Sequence, residues 1–155
     1  MTEAKQASVP EEKLESIIRE YETAFEKMDV EKTLSFFTDD VIWTAPEGTF
    51  NGKDEARRDL TWIFQSHDQI KFRDAGVGIM VKGNKAVYQF VNDGVLKDGR
   101  RYETPGACFY EFVGEKIQRH TVMSDRLMLA KQAAKGFVQK WVVNTVVNAT
   151  EKGLR

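Results

Sequence analysis

Few residues of this 155-residue sequence combine a reactive type with a telling spacing, and His120 comes first. It lies in Lys116-Ile117-Gln118-Arg119-His120-Thr121-Val122-Met123-Ser124. A period of two puts Gln118, His120, Val122 and Ser124 on one face of a strand. An imidazole titrates near neutral pH and so can carry a proton. Tyr21 stands inside an apolar helical stripe. It reads either as a core tyrosine or as a hydroxyl aimed into a cavity, where it would donate to a carbonyl oxygen. Trp43, Trp62, Phe64, Tyr102 and Tyr110 read as core or as cavity lining. If they line a cavity, its ligand is flat and apolar. Cys108 is the only cysteine. It excludes an intrachain disulfide and a cysteine-cluster zinc site, and it reads as a small buried hydrophobe or, on the same face as Tyr102 and Tyr110, as part of a ligand-binding lining. His67-Asp68 reads as a surface turn. The two histidines lie too far apart in sequence to form a helical pair, so no metal site is expected. Gly76-Val77-Gly78 opens a strand rather than a helix, which argues against a dinucleotide fingerprint. No cofactor is called for.

These residues need elements to position them. Ser8-Val9-Pro10-Glu11 reads as a capping box. Leu14, Ile17, Ile18, Tyr21, Ala24, Phe25 and Met28 follow at helical spacing. Asp29 suits the cap of a second, short helix, which Thr38-Asp39-Asp40 ends. Val41–Thr44 reads as a strand, Pro46-Glu47-Gly48 as a turn, and Asp54 to Gln65 as a third helix. From Ile70 to Met123 the period changes to two. Turn residues at Gly83-Asn84, Asp98-Gly99 and Gly114-Glu115 divide that stretch into an antiparallel meander. Asp125 suits the cap of a terminal helix, along which Ala130, Ala134, Phe137, Trp141, Val142 and Val146 form a wide apolar face. Gly136 would kink or divide it. Helices followed by a meander imply α+β, with helices packed on one face of a curved sheet.

Composition narrows the function classes. There are 23 basic and 24 acidic residues, for a net charge of −1, so no overall field draws the chain to nucleic acid. No apolar run approaches the length of a membrane span, and residues 1–10 lack a signal peptide's apolar core. The expectations are therefore a cytoplasmic protein with no nucleic-acid or membrane partner. Residues 1–8 are expected to be disordered, 9–129 to form the α+β domain, and 130–155 to be a helical extension.

Several segments together resemble one family. They are Tyr21-Glu22-Thr23-Ala24-Phe25-Glu26-Lys27-Met28-Asp29, Phe36-Phe37-Thr38-Asp39-Asp40-Val41-Ile42-Trp43, and Pro46-Glu47-Gly48-Thr49-Phe50-Asn51-Gly52-Lys53-Asp54-Glu55. Gly114-Glu115-Lys116-Ile117, closing on Ser124-Asp125, completes the set. In order and spacing the chain resembles the nuclear transport factor 2-like superfamily, in its SnoaL-like and ketosteroid-isomerase-like branch. The resemblance implies a cone, in which a bent antiparallel sheet wraps three N-terminal helices around a deep apolar pocket, with an additional C-terminal helix. It also implies a homodimer through the outer face of the sheet. The family register points His120 into the cone and brings Gln89 beside it, there to bind a ligand or to bond His120 or Tyr21. The isomerases' base position matches Ala45, and their strand acid matches Cys108. The charged residues of the epoxide hydrolases fall near Gln89, Val91 and Val122. Those mechanisms lack their carboxylates here. The expectation that remains is binding of a small apolar or aromatic molecule, with proton transfer of the isomerase, cyclase or dehydratase class through His120 and Tyr21. A non-catalytic binding or protein-association module is the alternative.

Overall fold

The computed structural model describes residues 9–153. The expected disorder of residues 1–8 lies outside the described residues, as does Ser8 of the expected capping box. Helix α1 (Glu11–Glu26) begins after Pro10 without a side-chain cap. The Glu11 carboxylate instead accepts from the Gly83 N–H at 2.8 Å, tying the helix to a sheet turn. Its apolar stripe of Leu14, Ile17, Ile18, Tyr21 and Ala24 is buried. Asp29 caps α2 (Val30–Ser35) by accepting from the Lys32 N–H. Strand β1 (Phe37–Ala45) turns into β2 (Gly48–Asn51), and α3 (Gly52–Ser66) follows.

The second half is the expected meander: β3 (His67–Lys82), β4 (Lys85–Leu96), β5 (Arg101–Val113) and β6 (Lys116–Ser124). All six strands join one sheet in the order β2-β1-β6-β5-β4-β3. The sheet is not wholly antiparallel, because β1 runs parallel to β6 and sets Trp43 opposite His120. These strands are far apart in sequence, and no hairpin dictates their direction. Register shifts between Asp74 and Ile79 on β3, and between Glu111 and Phe112 on β5, bend the sheet. Gly76, at φ 52°, sits in the first bend, where a Cβ would lie 2.0 Å from the Gln89 side chain. The Gly-Val-Gly run therefore serves strand geometry. Helix α1 packs on β3 and α3 on β1, so the concave side of the sheet holds the core.

The terminal apolar segment is two helices, α4 (Arg126–Ala133), capped by Asp125, and α5 (Gly136–Thr150). The break falls at Gly136, whose φ is 67°. The apolar face expected to be buried is largely open. Phe137 is 84% exposed and Trp141 60%, and Val147 is the one buried residue of α5. The reason is position: α5 packs chiefly on α4. No described helix is long and apolar enough to cross a membrane.

Candidate functional site

Between the helices and the concave face of the sheet lies a cavity of about 320 Å³. Its walls come from α1, β1, α3 and every strand of the meander, with Arg126 and Leu129 of α4 at its edge. Alternation along the strands explains the lining. On β1, Val41, Trp43 and Ala45 turn inward; on β5, Tyr102, Cys108 and Tyr110 do. Phe137 and Trp141 are absent from the lining, so the terminal helix does not plug the cone.

His120 is part of this wall and is 1% exposed. The Tyr21 hydroxyl lies 3.2 Å from its Nδ1, and the Tyr110 ring stacks on it at 4.7 Å and 9°. Burial pushes the imidazole pKa down to about 3, so the ring is neutral at physiological pH. Its tautomer follows from counting donors. If Tyr21 O–H donates to Nδ1, the ring proton sits on Nε2 and only that N–H lacks a partner. The opposite tautomer would leave both the tyrosine proton and the Nε2 lone pair unmet. Nε2 is buried and has no protein partner. The same is true of Nε1 of Trp43, whose ring lies 5.7 Å from the imidazole. Two residues of the cavity wall therefore carry buried N–H groups without a protein partner, and a ligand oxygen that reached either would satisfy it.

Glu22 also lines the cavity and is only 7% exposed. The Tyr110 hydroxyl donates to its Oε1 at 2.5 Å. Burial raises its pKa to about 8, against a smaller lowering by that hydrogen bond. The chemical reading of the sequence missed this residue. Its signal is positional: Glu22 follows Ile18 by four residues and precedes Phe25 by three, inside the apolar stripe.

Further along the wall, a chain of hydrogen bonds fixes polar groups. His67 Nδ1 lies 2.8 Å from the Ile63 carbonyl, which sets the ring proton there. Tyr102 O–H then donates to Nε2 at 2.9 Å and accepts from Asn92 Nδ2 at 3.4 Å. Asn92, a residue of the lining, keeps a buried Oδ1 without a partner. His67 is thus half-buried in the cavity wall rather than in a surface turn.

The other expected site residues separate. Trp43, Tyr102 and Cys108 line the cavity, and Trp62 lies at its rim, largely exposed. Tyr110 is not in the lining and stands behind it, bonding Glu22 and stacking on His120. Phe64 packs edge-on against Phe25 at 4.9 Å in the core. Gln89 is a correction. On β4 the residues flanking it in the pleat, Ala86, Tyr88 and Phe90, are buried, so Gln89 points out and accepts from the Val77 N–H. Gln118 is a second correction. Ile117 and His120 are both buried, so the pleat is broken between them, and Gln118 donates to the exposed Asp40 carboxylate. The Tyr21 hydroxyl bonds His120 instead of standing free to polarise a carbonyl. Among the described residues, no three His, Cys, Asp or Glu side chains gather as around a metal ion.

A sequence profile of the SnoaL-like domain matches residues 18–120. No curated protein matches the chain significantly. Solved structures do resemble it. A nuclear transport factor 2-like protein of unknown function from Burkholderia pseudomallei is 17% identical with a TM-score of 0.71, covering 79% of this chain and 98% of its own. A candidate polyketide cyclase from Xanthomonas campestris is 20% identical with a TM-score of 0.72, covering 79% and 97%. A candidate hydroxylase from Streptomyces galilaeus is 11% identical with a TM-score of 0.69, and covers 92% and 96%. Likeness at these identities establishes the fold alone.

Proposed function

The chain belongs to the SnoaL-like domain family, and from that premise we propose that its cavity binds a small apolar or aromatic molecule through a carbonyl oxygen and moves a proton on it. One observation carries the reading: His120, a neutral ring in the wall of a largely aromatic and aliphatic cavity, keeps a buried Nε2 without a protein partner. A carbonyl oxygen there would accept from His120 and Trp43. Charge developing on that oxygen would be held in a low-dielectric site by fixed donors. Tyr21 acts by holding the imidazole tautomer, which makes it a positioning residue. With Ala45 and Cys108 at the isomerases' carboxylate positions, the familiar isomerase constellation does not supply the chemistry. The candidate cyclase among the structural neighbours is consistent with a small-molecule substrate.

The test is a thermal-shift screen with flat ketones, polyketide mimics and epoxides, using wild type beside His120→Phe. A ketone at 100 times its dissociation constant should stabilise the wild type by about 2.7 kcal/mol. The variant should lose most of that shift. If no ketone stabilises the wild type, the reading fails.

A second reading, association without catalysis, rests on the exposed stripe of Phe137, Val138 and Trp141 on α5. Wild type that binds none of the compounds, yet keeps a dimeric mass in light scattering, would favour it.

A further inference from the structure

We propose that Glu22 is the group that moves the proton in this cavity: its carboxylate takes a proton from the carbon beside a bound carbonyl and returns it, while Tyr110 holds it in place. The proposal rests on the cavity reading above, and its test separates the two. The step balances without a co-reactant. The C–H bond breaks as an O–H bond forms on Glu22. The C–H electron pair moves into the C–C bond, and the carbonyl pair moves onto oxygen, which accepts from Nε2–H of His120 and Nε1–H of Trp43. The reverse step delivers the proton to the same carbon, or to another within reach of the carboxyl.

The surroundings of Glu22 support this role. On its own helix, the nearest charged groups are occupied. Arg19 makes a two-pronged bond to Asp74 at 2.6 and 2.7 Å. Glu26 accepts from Lys71 and from the Phe72 N–H. From the sheet, the Tyr110 hydroxyl of β5 bonds Glu22, and Tyr88 on β4 and Cys108 on β5 are near enough to feel its charge. Tyr21 flanks it on α1 and is itself bonded to His120. None of these sheet groups is a cation, and Arg19 is engaged elsewhere, so the carboxyl is neutralised chiefly by its own proton. Both states then lie within reach near neutral pH, which is the condition for exchanging a proton there. His120 is unsuited to the task. Its Nε2 already carries a hydrogen, and its burial opposes a second one. A purely structural partner for Tyr110 could equally be a glutamine, which would accept the same bond with no ionisation.

The experiment measures exchange of the α-protons of 2-tetralone in D2O by proton NMR, with protein-free rates subtracted. Wild type should accelerate exchange. The rate should climb about tenfold per pH unit below pH 8 and level off above it, following the ionised carboxylate. Glu22→Gln should still be stabilised by the ketone while its exchange falls at least about a hundredfold. Undiminished exchange in Glu22→Gln overturns the proposal. So does a wild type that binds the ketone and exchanges nothing. A wild type that binds no ketone removes the cavity reading itself. Should the variant not fold, the wild type decides. A protonated-carboxyl infrared band must disappear with rising pH in step with the gain in exchange, and a band that titrates elsewhere overturns the proposal.

Discussion

Replacing Glu22 by Gln should stabilise the protein, by an amount that depends steeply on pH. In the unfolded chain the carboxyl has its ordinary pKa of 4.5, and in the fold about 8. Between those values the folded state binds a proton that the unfolded state has released. Stability must therefore fall as pH rises from 4.5 to 8. The folded pKa is raised, so the contribution is fully present below 4.5 and lost on passing 8. The gap of about 3.5 pH units, at about 1.4 kcal/mol each, sets a ceiling near 5 kcal/mol. The same linkage gives a cost of about 1 kcal/mol at pH 5, about 3 at pH 7 and close to the ceiling above pH 9. Glutamine keeps an oxygen for the Tyr110 hydroxyl and carries no ionisation cost. The difference between variant and wild type should thus widen by about 2 kcal/mol from pH 5 to pH 7. Urea denaturation of both proteins at one-unit steps from pH 5 to 9 measures it. A difference that stays flat across that range would refute the argument, because a change of packing alone does not titrate.

His120 should give the opposite limb. Its folded pKa lies near 3, against 6.5 in the unfolded chain, so the stability it contributes is present above pH 6.5 and drains away as pH falls toward 3. His120→Phe should unfold at lower pH than wild type in acid titration, and an unchanged acid midpoint would count against a buried neutral ring. Tyr110→Phe removes the one hydrogen bond that lowers the Glu22 pKa, so the pH dependence of exchange should move above 8; an unmoved profile would mean that Tyr110 does not touch the working carboxyl. Gly94→Ala would place a Cβ 2.1 Å from the Tyr102 ring, forcing that ring out of the cavity wall and away from His67. A loss of about 1–3 kcal/mol in denaturation is expected from such overpacking, and undiminished stability would contradict the contact.

The elements were legible where one residue type does one job. The α1 stripe, the Asp29 and Asp125 caps and the turns of the meander follow from periodicity and from side chains that satisfy free amides. The β1–β6 pairing was not, since nothing local distinguishes a parallel from an antiparallel neighbour so far away in sequence. Strand β4 shows how register hides. Val87, Gln89 and Val91 alternate with Ala86, Tyr88 and Phe90, and either set could be buried. Only the bend at Asp74–Ile79, with Gln89 lying over Gly76, settles which set faces out. Helix α5 hides something different, because amphipathy names a face without naming what covers it.

The candidate site was half legible for a reason that bears on its chemistry. His120 and Tyr21 stand out because their types suggest proton work, yet burial takes the imidazole out of the titrating range and leaves it a donor. Glu22 was hidden because a glutamate is read as solvent-facing wherever it occurs, even within an apolar stripe. That rule holds because burying an ionised carboxylate is costly. It fails where the group can take up a proton instead. The exception selects a residue whose charge is set by its surroundings, and such a residue is suited to exchange protons in a cavity. The position at which hydrophobic patterning breaks on α1 and the position at which proton chemistry becomes available are therefore the same residue.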